Sequence, residues 1–174
     1  VNLNPVPGIP GAFVATSQVH DDSRGSFMEI FRQDSLGVQF VQANHSRSRQ
    51  GVLRGLHWHR YQADAWYVIG GHAQAMLADL RGELAQPTVV SVDLEADDPR
   101  VLYIPPGVAH GFLAVTDVDL IYWVTHYYDS KDEFGVAWND PSLSAPWKIT
   151  EPVLSDRDLQ NPTLEEARVS LLKT

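Results

Sequence analysis

A chain of 174 residues is long enough for one substantial core and too short for two domains of ordinary size, so residues 1–174 are read as a single domain. The absence of cysteine excludes disulfides and thiolate metal sites, and a formal net charge of -9 leaves no positive field to gather nucleic-acid phosphates. No apolar run approaches a membrane span, and the start VNLNPVPGIPGAF has neither the basic nor the apolar region of a signal peptide, so a cytoplasmic protein without a membrane partner is expected.

Short apolar and β-branched runs recur between turn residues, with little helical periodicity before the end of the chain. In chain order they predict strands near residues 13–20, 26–32, 39–44, 52–59, 65–69, 72–79, 88–93, 101–104, 111–115 and 119–126. Turns at Gly70-Gly71, Asp97-Asp98-Pro99 and Pro105-Pro106-Gly107 punctuate them. The run LIYWV (120–124) is apolar on both faces, so it should be covered on both, as in a sandwich or barrel with a partner surface. The proline-punctuated stretch 138–158 reads as a loop laid over the sheet. Beyond Pro162, Thr163 and Glu166 form a capping-box pattern that opens a short C-terminal helix. The fold class is therefore all-β with one terminal helix.

Charge is unevenly spread. Between Asp34 and Asp64 there is no Asp or Glu, whereas Arg47, Arg49, Arg54 and Arg60 all fall in that window. A basic island in an acidic chain suits a small anion such as a phosphate or diphosphate.

Within the island, VLRGLHWHR (52–60) sets an arginine and two histidines into a strand-like segment. Alternation along a strand points His57 and His59 one way and Arg54 the other. His57, His59 and His110 all lie near glycines, which let backbone or ligand approach closely. From Gly51, five residues lead to His57, one to His59, four to Asp64 and six to Gly71, and PPGVAH brings His110 after a turn. That spacing resembles the two signature motifs of metal-binding cupins, with Asp64 in place of glutamate and Ala114 in place of asparagine. On this alternative, His57, His59, Asp64 and His110 suit iron, manganese, nickel or zinc.

A longer resemblance competes with it. NHSRSRQGVLRGLHW (44–58), LYIPPGVAHGF (102–112), YWVTHYYD (122–129), WNDP (138–141) and PVLSDRD (152–158) resemble, in this order, the dTDP-4-dehydrorhamnose 3,5-epimerase family. The likeness extends over about residues 22–163. It implies a cupin-like jelly roll, a homodimer, and epimerisation of a dTDP-linked 4-keto-6-deoxyhexose at C3, C5 or both. No metal and no cofactor are implied, because the substrate's own ketone holds the charge of the enolate.

By position, the resemblance makes His57 the catalytic base, Asp158 the carboxylate that orients it and Tyr122 the acid on the opposite face. These types suit the chemistry, since histidine titrates near working pH and an Asp on its other N–H fixes the tautomer. Arg24, Phe27, Glu29, Gln42, Asn44, Arg54, His110 and Tyr128 match substrate-contacting positions, with Arg24 expected to reach across the dimer.

One departure stands out. The family carries a lysine after glutamine and a small residue, placed to stabilise the enolate, whereas here Gln62-Ala63 is followed by Asp64. A carboxylate at that place opposes the developing charge. Three reconciliations are open: Arg60 or His59 supplies the positive charge, a metal held by the histidines and Asp64 acts as Lewis acid, or the reaction differs. A different reaction would be a single-centre epimerisation, a ketoisomerisation or binding without turnover.

Overall fold

The computed structural model describes residues 2–82 and 86–172. In chain order these form β1 (Asn2–Pro5), β2 (Phe13–Thr16), β3 (His20–Asp22), β4 (Gly25–Phe27), α1 (Gln33–Leu36), β5 (Gln42–Ser48), β6 (Leu53–Trp58), β7 (Asp64–Gly70) and β8 (His72–Asp79). There follow β9 (Val89–Glu95), β10 (Arg100–Ile104), β11 (Val108–Ala114), β12 (Val118–Val124), β13 (Phe134–Gly135), α2 (Asp156–Leu159) and α3 (Leu164–Leu172).

Two antiparallel sheets face each other as a cupin-like jelly roll, one ordered β1-β2-β10-β7-β12-β5 and the other β13-β6-β11-β8-β9. Between them Trp66, Leu77, Leu94, Ile104, Phe112 and Leu120 pack into one core. Each such side chain contributes about 1.5–3 kcal/mol through its removal from water.

Both outer faces are also covered, which accounts for strands apolar on two sides. Met28, Ile30, Leu36 and Phe40 lie over Ala65, Tyr67 and Val101 on the six-stranded sheet. Trp123 stacks there on Phe31 at 5.4 Å while Leu120 of the same strand points into the core. The chain's own residues thus supply cover that the sequence assigned to a partner surface. On the other sheet, Val136, Leu143, Leu164 and Ala167 cover Leu56, Met76 and Ala109, and Trp58 stacks on Phe134 at 4.3 Å.

Several boundaries differ from expectation for physical reasons. β1 has no apolar alternation because it is an exposed edge strand ending in proline. The predicted strand over 26–32 holds only at its start, and its apolar residues serve instead as irregular cover for the sheet. β5 runs on to Ser48 because, as an edge strand, it is built mostly of polar residues, half-buried alternating with exposed, that carry no hydrophobic signal. β11 starts at Val108, three residues earlier than expected, and so takes His110 into the sheet.

The stretch 138–158 is irregular as predicted, except that it enters α2 at Asp156, where the Ser155 hydroxyl accepts from the Asp158 N–H at 3.1 Å. α3 opens on the predicted capping box: Glu166 accepts from the Thr163 N–H at 2.9 Å, and the Glu166 N–H donates to Thr163 Oγ1 at 3.3 Å. No helix among the described residues is long and apolar enough to cross a membrane.

Candidate active site

A cavity of about 600 Å³ opens between the two sheets, ample for a ligand of several rings. The register of the six-stranded sheet explains its first wall. Tyr122 is paired with Asn44 on one side and Trp66 on the other, and Val124 with Gln42 and Asp64. Directly paired residues share a face, so these rows all present their side chains to the cavity.

The second wall comes from β6 and β11, where His110 pairs with His57 and Phe112 with Arg54. Two residues on β6 therefore stand against Gly111 alone, which makes a bulge. The extra residue reverses the alternation. Arg54 and His57 both line the cavity, which corrects the expectation that Arg54 faces away. The bulge depends on two glycines: a Cβ on Gly55 (φ +123) would lie 2.7 Å from Gly111 Cα, and one on Gly111 would lie 2.5 Å from the Arg54 carbonyl oxygen.

His57 Nε2 lies 2.6 Å from Asp158 Oδ1. Burial acts to raise the Asp158 carboxyl, but the hydrogen bond and charge of His57, with the Ser155 hydroxyl and the Gly55 N–H, hold it below the usual value. An ionised carboxylate accepts only, so Nε2 carries a proton, and in the neutral imidazole Nδ1 holds the lone pair. Across the cavity, burial first and the charge of Asp64 second push the Tyr122 phenol above its ordinary value, so it is protonated and able to donate.

At the inner end of the cavity, His59, Asp64 and His110 each bring one potential ligand atom within 4.8 Å of the others. His57, the fourth member of the expected set, is not in this group. Asp64 and His110 are only 4% and 5% exposed. Burial depresses His110 to about 4 despite the opposing pull of Asp64, so its ring is neutral.

The other sequence-predicted residues divide by position. Gln42, Asn44, Arg54, His57, His110, Tyr122 and Tyr128 line the cavity, and Asp158 stands directly behind His57. Arg54 is anchored by Ser48 Oγ at 2.9 Å and the Arg47 carbonyl at 3.1 Å. Arg60 is not brought to the cavity: its guanidinium lies over the Phe134 ring at 4.6 Å, so it is not the cation sought opposite Asp64. Arg24 and Phe27 sit on the β3–β4 hairpin and Glu29 just beyond it, away from this cavity. There Arg24 pairs with Asp22 and Glu29 with Arg32, each at 2.6 Å.

Sequence reasoning missed Trp66, Asp132 and Glu133, which also line the cavity. Asp132 accepts from the Arg60 N–H at 2.8 Å, and its backbone carbonyl receives His59 Nδ1 at 2.6 Å. Nothing in the local pattern ties this acidic pair to a histidine more than seventy positions earlier.

A jelly roll with a His–Asp pair and a half-buried tyrosine at one large cavity is the build of a cupin-like enzyme. Residues 7–166 match the profile of the family described as dTDP-4-dehydrorhamnose 3,5-epimerase. The chain belongs to that family, and the enzyme is an isomerase.

An enzyme of that name from Shigella flexneri is 36% identical over 175 residues, spanning 91% of this chain and 94% of the relative. Among solved structures, a dTDP-6-deoxy-D-glucose-3,5-epimerase from Legionella pneumophila in complex with dTDP-4-keto-L-rhamnose superposes with a TM-score of 0.88 at 33% identity, over 98% of this chain and 96% of that one. A 3'-monoepimerase from Streptomyces bikiniensis in complex with dTDP-quinovose gives 0.86 at 30%, over 97% and 91%.

Proposed function

We propose that this enzyme inverts C3, C5 or both in a dTDP-linked 4-keto-6-deoxyhexose, with His57 as base, Asp158 as its orienting partner and Tyr122 as acid. The observation that carries the reading is the placement of His57 and Tyr122 on opposite sheets facing one cavity. A base on one side of a sugar ring and an acid on the other is what inversion requires. His57 Nδ1 takes the proton beside the ketone, the electron pair moves into the carbonyl to give an enolate, and Tyr122 returns a proton from the other face. A positioned acid or base contributes roughly 10²–10⁴-fold to such a step.

Arg54 is suited to the diphosphate, and Gln42 and Asn44 to the sugar or base. The nucleotide side extends to a second copy of the chain. Support for a homodimer comes from the β3–β4 hairpin, which joins neither main sheet and leaves Phe27 71% exposed and the Arg24 side chain 87% exposed. On this reading Arg24, Phe27 and Glu29 enter the partner's cavity.

Incubation with dTDP-4-keto-6-deoxyglucose in deuterium oxide tests the reading. Deuterium is expected at C3, C5 or both, and the pattern identifies the centre inverted. No incorporation beside the ketone would overturn the epimerase reading in favour of a nucleotide-sugar binder, whereas a shifted carbonyl would mark a ketoisomerase.

A further inference from the structure

We propose that His59, Asp64 and His110 bind one divalent first-row transition-metal ion, placed to polarise the ketone oxygen of the substrate. The ion's role rests on the epimerase reading; its binding does not.

Geometry at the three side chains is the first argument. His59 Nδ1 lies 2.6 Å from the Asp132 carbonyl and His110 Nδ1 lies 2.9 Å from the Val108 carbonyl. Carbonyls only accept, so each Nδ1 carries a proton, which leaves Nε2 as the atom through which either imidazole can bind a metal. A backbone carbonyl fixing Nδ1–H is how proteins commonly orient a ligating histidine.

Asp64 supplies the second argument. Its Oδ2 lies 3.7 Å from His110 Nε2, too far for a hydrogen bond, so two potential ligand atoms face each other inside the protein. Two ligands of one first-row ion stand about 3.3 Å apart when each bond is about 2.0–2.2 Å, so a small adjustment of either group admits the ion. Gln62 Nε2 at 2.8 Å and Trp66 Nε1 at 3.3 Å fix the carboxylate plane without neutralising it. Among the described residues that line the cavity, Arg54 is the one Lys or Arg, and it is anchored on Ser48 and Arg47. A buried carboxyl group calls for hydrogen bonds or a cation, and among the described residues that line the cavity no Lys or Arg pairs with this one.

Position relative to the base is the third argument. His110 is paired with His57 across β6 and β11, and Asp64 lies one row from Tyr122 on the facing sheet. The ion would sit between the residues proposed as base and acid while Asp158, not the ion, holds His57. A Lewis acid there draws the enolate charge onto the ketone oxygen while His57 stays free to take the proton. The ion remains divalent throughout, so no electron acceptor is needed. Two imidazoles and one carboxylate without sulfur suit zinc, manganese, iron(II), cobalt or nickel rather than calcium or magnesium.

The test uses untagged protein dialysed against chelator and titrated with Co²⁺ and Zn²⁺. One equivalent is expected to bind, with visible d–d bands for Co²⁺. Asp64→Asn and His59→Ala should weaken binding at least tenfold, and His57→Ala should bind as the wild type does. Thermal melts of each variant separate lost binding from lost folding, and the less buried His59 keeps the test open if Asp64→Asn does not fold. Metal-free protein should lose at least tenfold in solvent exchange on the keto sugar and recover it with one equivalent. Absence of stoichiometric binding, unchanged binding in both ligand variants, dependence on His57, or undiminished exchange by metal-free protein would each overturn the proposal. Undiminished exchange would leave the epimerase reading standing, whereas stoichiometric metal with no exchange on any such sugar would sink that reading and leave the site.

Discussion

Asp158 Oδ1 sits 2.6 Å from His57 Nε2 although 101 positions separate the two residues in the chain. α2 is only one turn long, yet Ser155 caps it and the Gly55 N–H reaches the same carboxylate, so the pair is held from both partners' sides. If Asp158 acts by fixing the imidazole, Asp158→Asn should lower kcat roughly 100-fold with KM and dTDP binding little changed. His57→Ala should lose at least as much, and the double variant no more than His57→Ala alone, because the two act as a unit. Steady-state kinetics on the four proteins check this. Additive losses would mean that Asp158 does not act through His57.

Tyr122 should be replaceable without loss of fold. Its ring packs against the core, so Tyr122→Phe keeps that contact and removes only the hydroxyl. Proton return from the opposite face then fails: formation of the inverted sugar should drop roughly 10²–10⁴-fold, with the melting temperature nearly unchanged, while exchange through His57 persists.

The phenols also predict an alkaline stability limit. Burial raises Tyr67, Tyr103 and Tyr122 above the ordinary value of 10.0. An acid whose folded value lies above its unfolded one contributes stability that is complete below pH 10 and is lost as pH rises through the folded value. Urea midpoints should therefore be flat with respect to these groups up to about pH 10 and fall above it. Unchanged midpoints at pH 11 would contradict the burial of all three.

Much of this architecture was legible because two-sided burial leaves apolar runs, as in β7 and β8, and because Thr163 and Glu166 carry a local cap signature. His57, Tyr122 and Asp158 stood out as candidates only through several motifs in a fixed order, and the fold gathers them at one cavity. What escaped was long-range or irregular. The bulge that turns Arg54 inward arises from how β6 meets β11, and no property of either segment alone displays it. Asp132 reaches His59 through a backbone carbonyl, which has no sequence identity to read. Arg60 carried the right charge in the right window, but an aromatic face took its guanidinium.

The bulge itself can be weighed with two glycine variants. At Gly37 (φ +69) an added Cβ meets nothing, so Gly37→Ala pays for backbone conformation alone and should destabilise by about 1 kcal/mol. At Gly55 the Cβ would also strike backbone atoms, 2.7 Å from Gly111 Cα and 2.8 Å from the His110 carbonyl. Backbone cannot rotate out of the way, so Gly55→Ala should cost about 3 kcal/mol and reduce activity further by displacing Arg54 and His57. Denaturant melts of both variants decide it, and equal losses would show that the strands can part.

Asp64→Lys offers the sharpest separation of charge from metal. A lysine amine at this position would bring a positive charge, when protonated, to the face of the cavity beside Tyr122, where an ion held by Asp64 would otherwise supply it. Trp66 and His110 make the site poor in water, which favours a neutral amine in the empty cavity and an ammonium once an enolate forms beside it. The variant should therefore lose stoichiometric metal, become insensitive to chelator and retain measurable solvent exchange on the keto sugar. Asp64→Ala removes both charge and ligand, and its exchange should fall below that of Asp64→Lys by at least tenfold. If the two variants were equally inactive while both remained folded, positive charge at this position would not be what the reaction needs, and the carboxylate would have to act in another way.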